Sequence, residues 1–172
     1  MPKLTKGADM TSTIYNSPLG PLQISENDGH ITQISFMDAD TRKKFQQTSV
    51  PDAECDMSPT LNACVDELSS YFAGKLTHFT VPIKLDGTPF RQRVWEALMT
   101  IPYGQTISYK ELALRIDNPK AVRAVGGANH NNPISIIVPC HRVIGANGKL
   151  VGYGGGLGNK EFLLALEKSA SI

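Results

Sequence analysis

Residues 133–142 read Pro-Ile-Ser-Ile-Ile-Val-Pro-Cys-His-Arg, and the two prolines restrict what this apolar run can become. Pro139 has no backbone N–H to give to a helix or a sheet, and Pro133 holds the residue before it out of the helical region. Ile134 to Val138 therefore read as a short, fully buried strand that must stop at Pro139. Cys140, His141 and Arg142 are then set in a turn at the buried end of that strand. A thiol reacts as its anion, and a neighbouring base or cation that stabilises the anion activates it. Glu161 and Glu167 lie downstream on an expected C-terminal helix, where a carboxylate could orient the imidazole and complete a relay. The same residues also suit an inert, buried cysteine beside a surface His-Arg pair.

The rest of the chain narrows the setting. At 172 residues it is long enough for one large domain or two small ones. No apolar run reaches the length of a membrane span, and the opening MPKLTKGADMTST lacks the apolar segment of a secretory signal. Cys55, Cys64 and Cys140 are an odd set without close pairing, which argues against a disulfide framework and fits a reducing cytosol. Cys64 falls in a helical apolar stripe and reads as a small core residue. The net charge is +1, yet residues 1–84 hold 7 basic and 10 acidic side chains while residues 85–172 hold 10 and 6. The basic half leans slightly towards a polyanionic partner.

Residues 12–36 alternate as strands, with a hairpin at Asp28-Gly29. Ser58-Pro59 starts a helix that carries Leu61, Cys64, Val65, Leu68 and Phe72 on one face and stops at Gly74. An extended connection leads to a boundary near Leu85, and Thr88-Pro89 opens a helix with Phe90, Val94, Ala97, Leu98 and Ile101 on one face. Ser108 and Glu111 match a capping box for the next helix. Asp117-Asn118-Pro119 then turns the chain into another, expected from Pro119 to about Asn129. Two short helices around a tight turn suit either a DNA-binding helix-turn-helix or an ordinary packed helix hairpin. The second helix, with Lys120 and Arg123 among Ala121, Ala124, Gly126, Gly127 and Ala128, lacks the side chains that read base edges and better suits sequence-independent contact. The later GANGKLVGYGGGLG allows close backbone approach to a ligand but matches neither dinucleotide nor phosphate-loop spacing.

PCHRVIG, preceded by AVRAVGGANHNNP and followed by GYGGGLGNKEFLLALE, closely resembles the O6-alkylguanine-DNA alkyltransferase family, the methylated-DNA–protein-cysteine methyltransferases. The similarity is dense from about Thr88 to Glu167, while before it only the SPLGPLQIS hairpin looks alike. The resemblance implies an irreversible, stoichiometric transfer of the alkyl group from O6-alkylguanine, and from O4-alkylthymine, to Cys140 after the base is flipped out of the duplex. It implies that His141 activates the thiol through a water, that Glu167 orients His141, and that Asn132 braces the active-site turn against the helix pair. Tyr109 would donate a hydrogen bond or proton to the departing base, and Arg123 would fill the gap in the duplex. Lys110, Asn118, Ala121, Ala124 and Gly127 would join Arg123 and Tyr109 at the DNA. Val143 and Cys140 carbonyls would read the guanine amine, with Tyr153, Gly154 and Ser135 around the pocket. Ser135 stands where some relatives have proline, Gly154 and Ala146 where some have serine, and no cysteine precedes Cys55 to hold a structural zinc.

The expectation is an α+β chain of two parts. Residues 1–84 form a small antiparallel sheet with a helix, ribonuclease-H-like by resemblance, in a supporting role. Residues 85–172 form a mostly helical, winged or helix-turn-helix domain that binds DNA and holds the alkyl acceptor. No metal, cofactor or membrane is expected. The partner is double-stranded DNA bearing O6-alkylguanine, bound by a protein that is a monomer in solution, able to act cooperatively on DNA, and cytoplasmic (nuclear in a eukaryote). A lesion sensor without transfer activity, a cysteine hydrolase and an operator-binding regulator are the rivals. Cys140 counts against the first, the helix pair with Arg123 against the second, and the poor base-reading face against the third.

Overall fold

The computed structural model describes residues 11–37, 58–145 and 157–170, and the chain divides into two compact units, Met1–Lys84 and Leu85–Ile172. In the first, Thr11–Ser17 (β1), Gly20–Asn27 (β2) and His30–Phe36 (β3) pair antiparallel in that order. Asp28 and Gly29 join β2 to β3 with φ of 55° and 79°, the positive values that a two-residue hairpin turn demands. A register shift between Ser25 and Glu26 turns both of these neighbours inward, although a regular strand would place them on opposite faces. The buried Glu26 carboxylate accepts from the Gly29 N–H at 3.1 Å.

Helix α1, Pro59–Phe72, starts where the Ser58 hydroxyl accepts from the Leu61 N–H, and Gly74 ends it at φ 76°. Leu61, Cys64, Leu68 and Tyr71 form its buried face against the sheet residues Leu22, Ile24, Ile31 and Ile34. Tyr71, unremarked in the sequence, takes the fully buried aromatic position, and Phe72 is half-buried against Tyr15. The extended chain beyond returns along β3, with the Ile31 N–H donating to the Pro82 carbonyl and the Lys84 N–H to that of Ile31.

In the second unit, Pro89–Leu98 forms α2, capped by the Thr88 hydroxyl. The helix stops before Ile101, which is nonetheless buried in the turns beyond it. Ile107–Ser108 (β4) leads into α3, Tyr109–Arg115. Only half of the expected capping box forms: Ser108 caps the Glu111 N–H, while the Glu111 carboxylate turns to Arg115 at 2.9 Å. Helix α4 covers Val122–His130 and so begins later than expected. Pro119 sits instead in a turn closed by the Ala121 N–H on the Asn118 carbonyl, and Val122 starts the regular helix.

The segment expected as a buried strand is buried but is not a strand. Residues 134–139 fold back on themselves through an Ile137 N–H to Ser135 carbonyl bond at 2.9 Å and a Val138 N–H to Ile134 carbonyl bond at 3.1 Å. Ile136 lies between at φ 75°, a conformation that strains a β-branched residue. Apolar character foretold burial correctly, but the chain must reverse within six residues to deliver Cys140, and no ladder survives that. A single 3₁₀ turn, Cys140–Arg142, comes next, and then Val143–Ile144 (β5) pairs parallel to β4, a contact with no local signal in the sequence. Helix α5, Leu157–Ala170, completes the described residues.

Trp95 anchors α2 to α4 by donating its indole N–H to the Ala128 carbonyl at 2.9 Å. Its ring lies directly on Gly87, where a Cβ would come within 2.6 Å of the indole carbons. Gly87→Ala should therefore destabilise the second unit by about 1–3 kcal/mol through overpacking. Urea unfolding followed by the fluorescence of Trp95, the chain's one tryptophan, measures it.

Candidate active site

The Cys140 turn is held from two sides. On one, Asn132 closes a local turn: its Oδ1 accepts from the Ile134 N–H at 3.0 Å, and its Nδ2 donates to the Val138 carbonyl at 2.7 Å. On the other, Asn129 of α4 donates from Nδ2 to the Cys140 carbonyl at 3.3 Å. The Cys140 N–H closes a tight turn on the Val138 carbonyl at 2.8 Å across Pro139, which needs no donor of its own. Cys140 is left only 4% exposed.

Behind the thiol sits a buried charge network. Glu167, on the inner face of α5, accepts from His141 Nε2 at 2.7 Å on one oxygen. Arg142 grips the same carboxylate twice, from Nε at 2.8 Å and from a terminal nitrogen at 3.0 Å. Its remaining terminal nitrogen donates to the Ile101 carbonyl at 2.7 Å, and its guanidinium lies 5.6 Å from the Tyr103 ring centroid. Glu161, the other carboxylate considered, is exposed on the opposite side of the helix. An ionised carboxylate can only accept, so His141 carries its hydrogen on Nε2. The neutral ring then keeps a lone pair on Nδ1, which is buried with no hydrogen-bond partner among the described residues.

Two polar groups here escaped the sequence reading. Lys160 is fully buried one turn before Leu163 on α5, and its ammonium donates to the Val143 carbonyl at 2.5 Å. The same ammonium lies 5.9 Å from the ring centroid of Tyr109, which stands at the start of α3. The other is Asn129, whose buried amide holds the Cys140 carbonyl. The only available signal was weak: Lys160, Leu163 and Glu167 share one helical face, a spacing that usually marks a solvated stripe when charges bracket it. Of the two carbonyls expected to read guanine, that of Val143 accepts from Lys160 and keeps a second lone pair, whereas that of Cys140 already accepts from both Asn129 and the Val143 N–H.

Arg123, Ala124 and Gly127 form an exposed face of α4, with Lys110 and Asn118 exposed nearby in sequence and Ala121 half-buried. Val125, Ala128 and Asn129 form the buried face opposite. Ser135 is half-buried within the reversing turn, whereas Ala146, Tyr153, Gly154 and Cys55 lie outside the described residues. Among the described residues no cluster of His, Cys, Asp or Glu is placed to hold a metal ion, and no helix is long and apolar enough to cross a membrane.

Residues 89–169 match the family model described as the 6-O-methylguanine DNA methyltransferase DNA binding domain, and residues 10–85 match the ribonuclease-like domain of the same proteins. The chain belongs to the 6-O-methylguanine DNA methyltransferase family. A methylated-DNA–protein-cysteine methyltransferase of Mycobacterium tuberculosis is 51% identical over 154 residues, 90% of each chain. The crystal structure of the Mycobacterium tuberculosis O6-methylguanine methyltransferase superposes with a TM-score of 0.81 at 48% identity, covering 95% of both chains. A Mycobacterium tuberculosis OGT in complex with DNA gives 0.77 at 48% identity, covering 91% of this chain and 92% of that one. The α+β fold, with a ribonuclease-like first part and a helical second part, is thus the family's own.

The electrostatics of this family member's site arise from burial. Burial pushes the Cys140 thiol up to about 11, although the Asn132 hydrogen bond and the Lys160 charge pull against it. Burial also pulls Lys160 down to about 8 and His141 below the usual imidazole range, so the imidazole is neutral at rest. Burial would raise Glu167, but the His141 hydrogen bond and charge, together with Arg142, outweigh it and hold the carboxyl at about 2.

Both shifts act in the same direction on stability. His141 is harder to protonate folded than unfolded, so stability is lost as pH falls below about 6.5. The depressed Glu167 adds stability above about 4.5 that is lost as pH falls towards 2, on the order of 3 kcal/mol in all. Denaturant melts from pH 8 to 3 should show both losses. Glu167→Gln should remove the lower one and cost about 3–5 kcal/mol at neutral pH, because Arg142 then stays buried without its counter-charge.

Proposed function

We propose that this chain repairs alkylated DNA by direct reversal, with Cys140 as the acceptor that takes the methyl group from O6 of guanine once and keeps it. The family supplies the reaction class, and one observation supports this assignment of parts: His141 is held by Glu167 through Nε2, so its bare Nδ1 faces away from the carboxylate, and the adjacent residue in the chain is the buried Cys140. A thiol pushed up to about 11 is protonated at rest and needs a base at the moment of attack.

The thiol proton passes through a water to His141 Nδ1, and Glu167 stabilises the imidazolium that forms. Sulfur attacks the methyl carbon, the carbon–O6 bond breaks, and its electron pair stays with guanine. Tyr109 passes its phenol proton to the departing base and is reprotonated with the proton that His141 took from sulfur, so the exchange balances. The product is a thioether with no leaving group to reverse the step, and each molecule acts once. No cofactor enters.

A methyl group inside a duplex is out of reach of a buried thiol, so the nucleotide must be extruded. The exposed Arg123 on α4 takes the vacated place, and the small side chains of Ala124 and Gly127 let the helix backbone approach the groove. Lys110, Asn118 and Ala121 add contacts beside them. Tyr153, Gly154 and Ser135 complete the pocket, and O4-alkylthymine is a second substrate. The protein works as a monomer, able to load cooperatively on DNA, in a reducing compartment that keeps its thiol free.

Incubation with a duplex containing one O6-methylguanine should add one methyl to the peptide holding Cys140 and stop at one per molecule, as read by intact and peptide mass spectrometry. Cys140→Ser should abolish the gain while retaining the bound duplex. A methyl found elsewhere, or continued turnover, would rule the assignment out. Arg123→Ala should slow transfer from duplex by about 10–100-fold, with a much smaller effect on free O6-methylguanine base, because only the extruded nucleotide leaves a gap to fill.

A further inference from the structure

Helix α4 is tied at its C-terminal end, where Trp95 of α2 holds the Ala128 carbonyl at 2.9 Å and Asn129 holds that of Cys140 at 3.3 Å. Arg123 stands at the other end, in the first turn. That end begins without a side-chain cap: Ala121 takes the N-cap position and has no oxygen to offer the unpaired N–H groups. Ahead of it, Asp117 sits at φ 60°, a left-handed conformation that glycine would adopt at lower cost. The place of Arg123 therefore depends on what holds the turn between α3 and α4.

That turn is held from α2. Arg93 donates from a terminal guanidinium nitrogen to the carbonyl of Ile116, the C-cap residue of α3. Arg115 returns the contact, donating from one terminal nitrogen to the Thr100 hydroxyl at 3.1 Å just beyond α2, while the other holds Glu111. The two arginines bridge an open cleft that Glu96 and Asp117 also line. A guanidinium at the end of a helix satisfies a carbonyl with no helical N–H ahead of it and suits the negative end of the dipole. Backbone bonds then lead from the fixed carbonyl into α4. The Asn118 N–H donates to the Ala113 carbonyl at 3.0 Å, that of Ala121 to Asn118 at 3.0 Å and that of Val125 to Ala121 at 2.8 Å. Through Arg93 and Trp95, α2 grips the helix pair at both ends.

We propose that Arg93 is a positioning residue for α4: by gripping the Ile116 carbonyl it fixes the entry end of that helix, so that Arg123 meets the duplex already in the place from which it fills the gap. The inference rests on the role given to Arg123 above. Arg93 is itself exposed, so a direct bond from it to a DNA phosphate is the alternative that the experiment must separate.

A double-mutant cycle under single-turnover conditions tests it, with protein in excess over a duplex bearing one O6-methylguanine. R93M keeps the reach of the side chain and loses its donors. It should slow transfer from the duplex by about five-fold or more and change the reaction with free O6-methylguanine base by less than about two-fold. In the R123A background the same substitution should have almost no further effect, and R93K, which can still donate to one carbonyl, should recover most of the wild-type rate. The salt dependence of duplex binding should keep its wild-type slope in R93M, because no phosphate contact is lost. A slope reduced by about one would show that Arg93 binds phosphate directly and would overturn the inference. So would an unchanged R93M rate on duplex, or an equal loss in both backgrounds. R123A at the wild-type rate would overturn it together with the role of Arg123 beneath it, and the two failures are therefore distinct. If R93M does not fold, R93A takes its place in the cycle. Independently of activity, amide hydrogen exchange at Ala121 and Val125 should quicken in R93M while that of Asn131, at the end held by Trp95, stays the same. Unchanged exchange at Ala121 and Val125 would contradict the proposed grip.

Discussion

The Glu167 carboxylate is buried on α5 with His141 on one oxygen and Arg142 on both, and a carboxylate so buried without partners would cost several kcal/mol. Much of the second unit can be understood as the means of satisfying it. Arg142 brings its own demand for acceptors, met by the turn after α2 at Ile101 and by the Tyr103 ring. The 3₁₀ turn places His141 and Arg142 side by side, facing the same helix. Removing any member leaves another buried and charged or half-paired, so the network specifies one arrangement more than it adds stability.

The same network fixes the protonation of the groups beside the thiol. By holding the imidazole through Nε2, Glu167 leaves the lone pair on Nδ1, while the His141 and Arg142 bonds keep the carboxylate ionised. The reversing turn before Cys140 carries strain at Ile136 and is held by Asn132 and Asn129. Strain kept in place by several hydrogen bonds is common where side chains must be preorganised. Cys140 thus sits in a cradle tied through Asn129 to α4, the helix that exposes Arg123, Ala124 and Gly127.

Much of this was legible from residue order. The Asp28-Gly29 turn, the Ser58-Pro59 and Thr88-Pro89 helix starts and the Gly74 stop all act through local backbone geometry, and they appear where expected. The Cys-His-Arg run and the small-faced helix carried the resemblance to the family that residues 10–85 and 89–169 match. Ile134–Val138 misled because apolar content reports burial, and burial does not distinguish a strand from a packed reversal. Lys160 and Asn129 were passed over for the opposite reason. Polar residues read as exposed unless something shows which acceptor awaits them.

The sequence by itself determined where the chain turns, which stretches are helical and which thiol stands beside a base, since each depends on groups a few residues apart. Only the tertiary structure decided that Glu167 and not Glu161 meets His141, that β5 pairs with β4, and that Lys160 and Asn129 face the site. Those pairings span from 11 to 36 residues along the chain. A hydrogen bond between groups so far apart exists only when packing brings donor and acceptor to the same place, and periodicity along the chain carries no record of that.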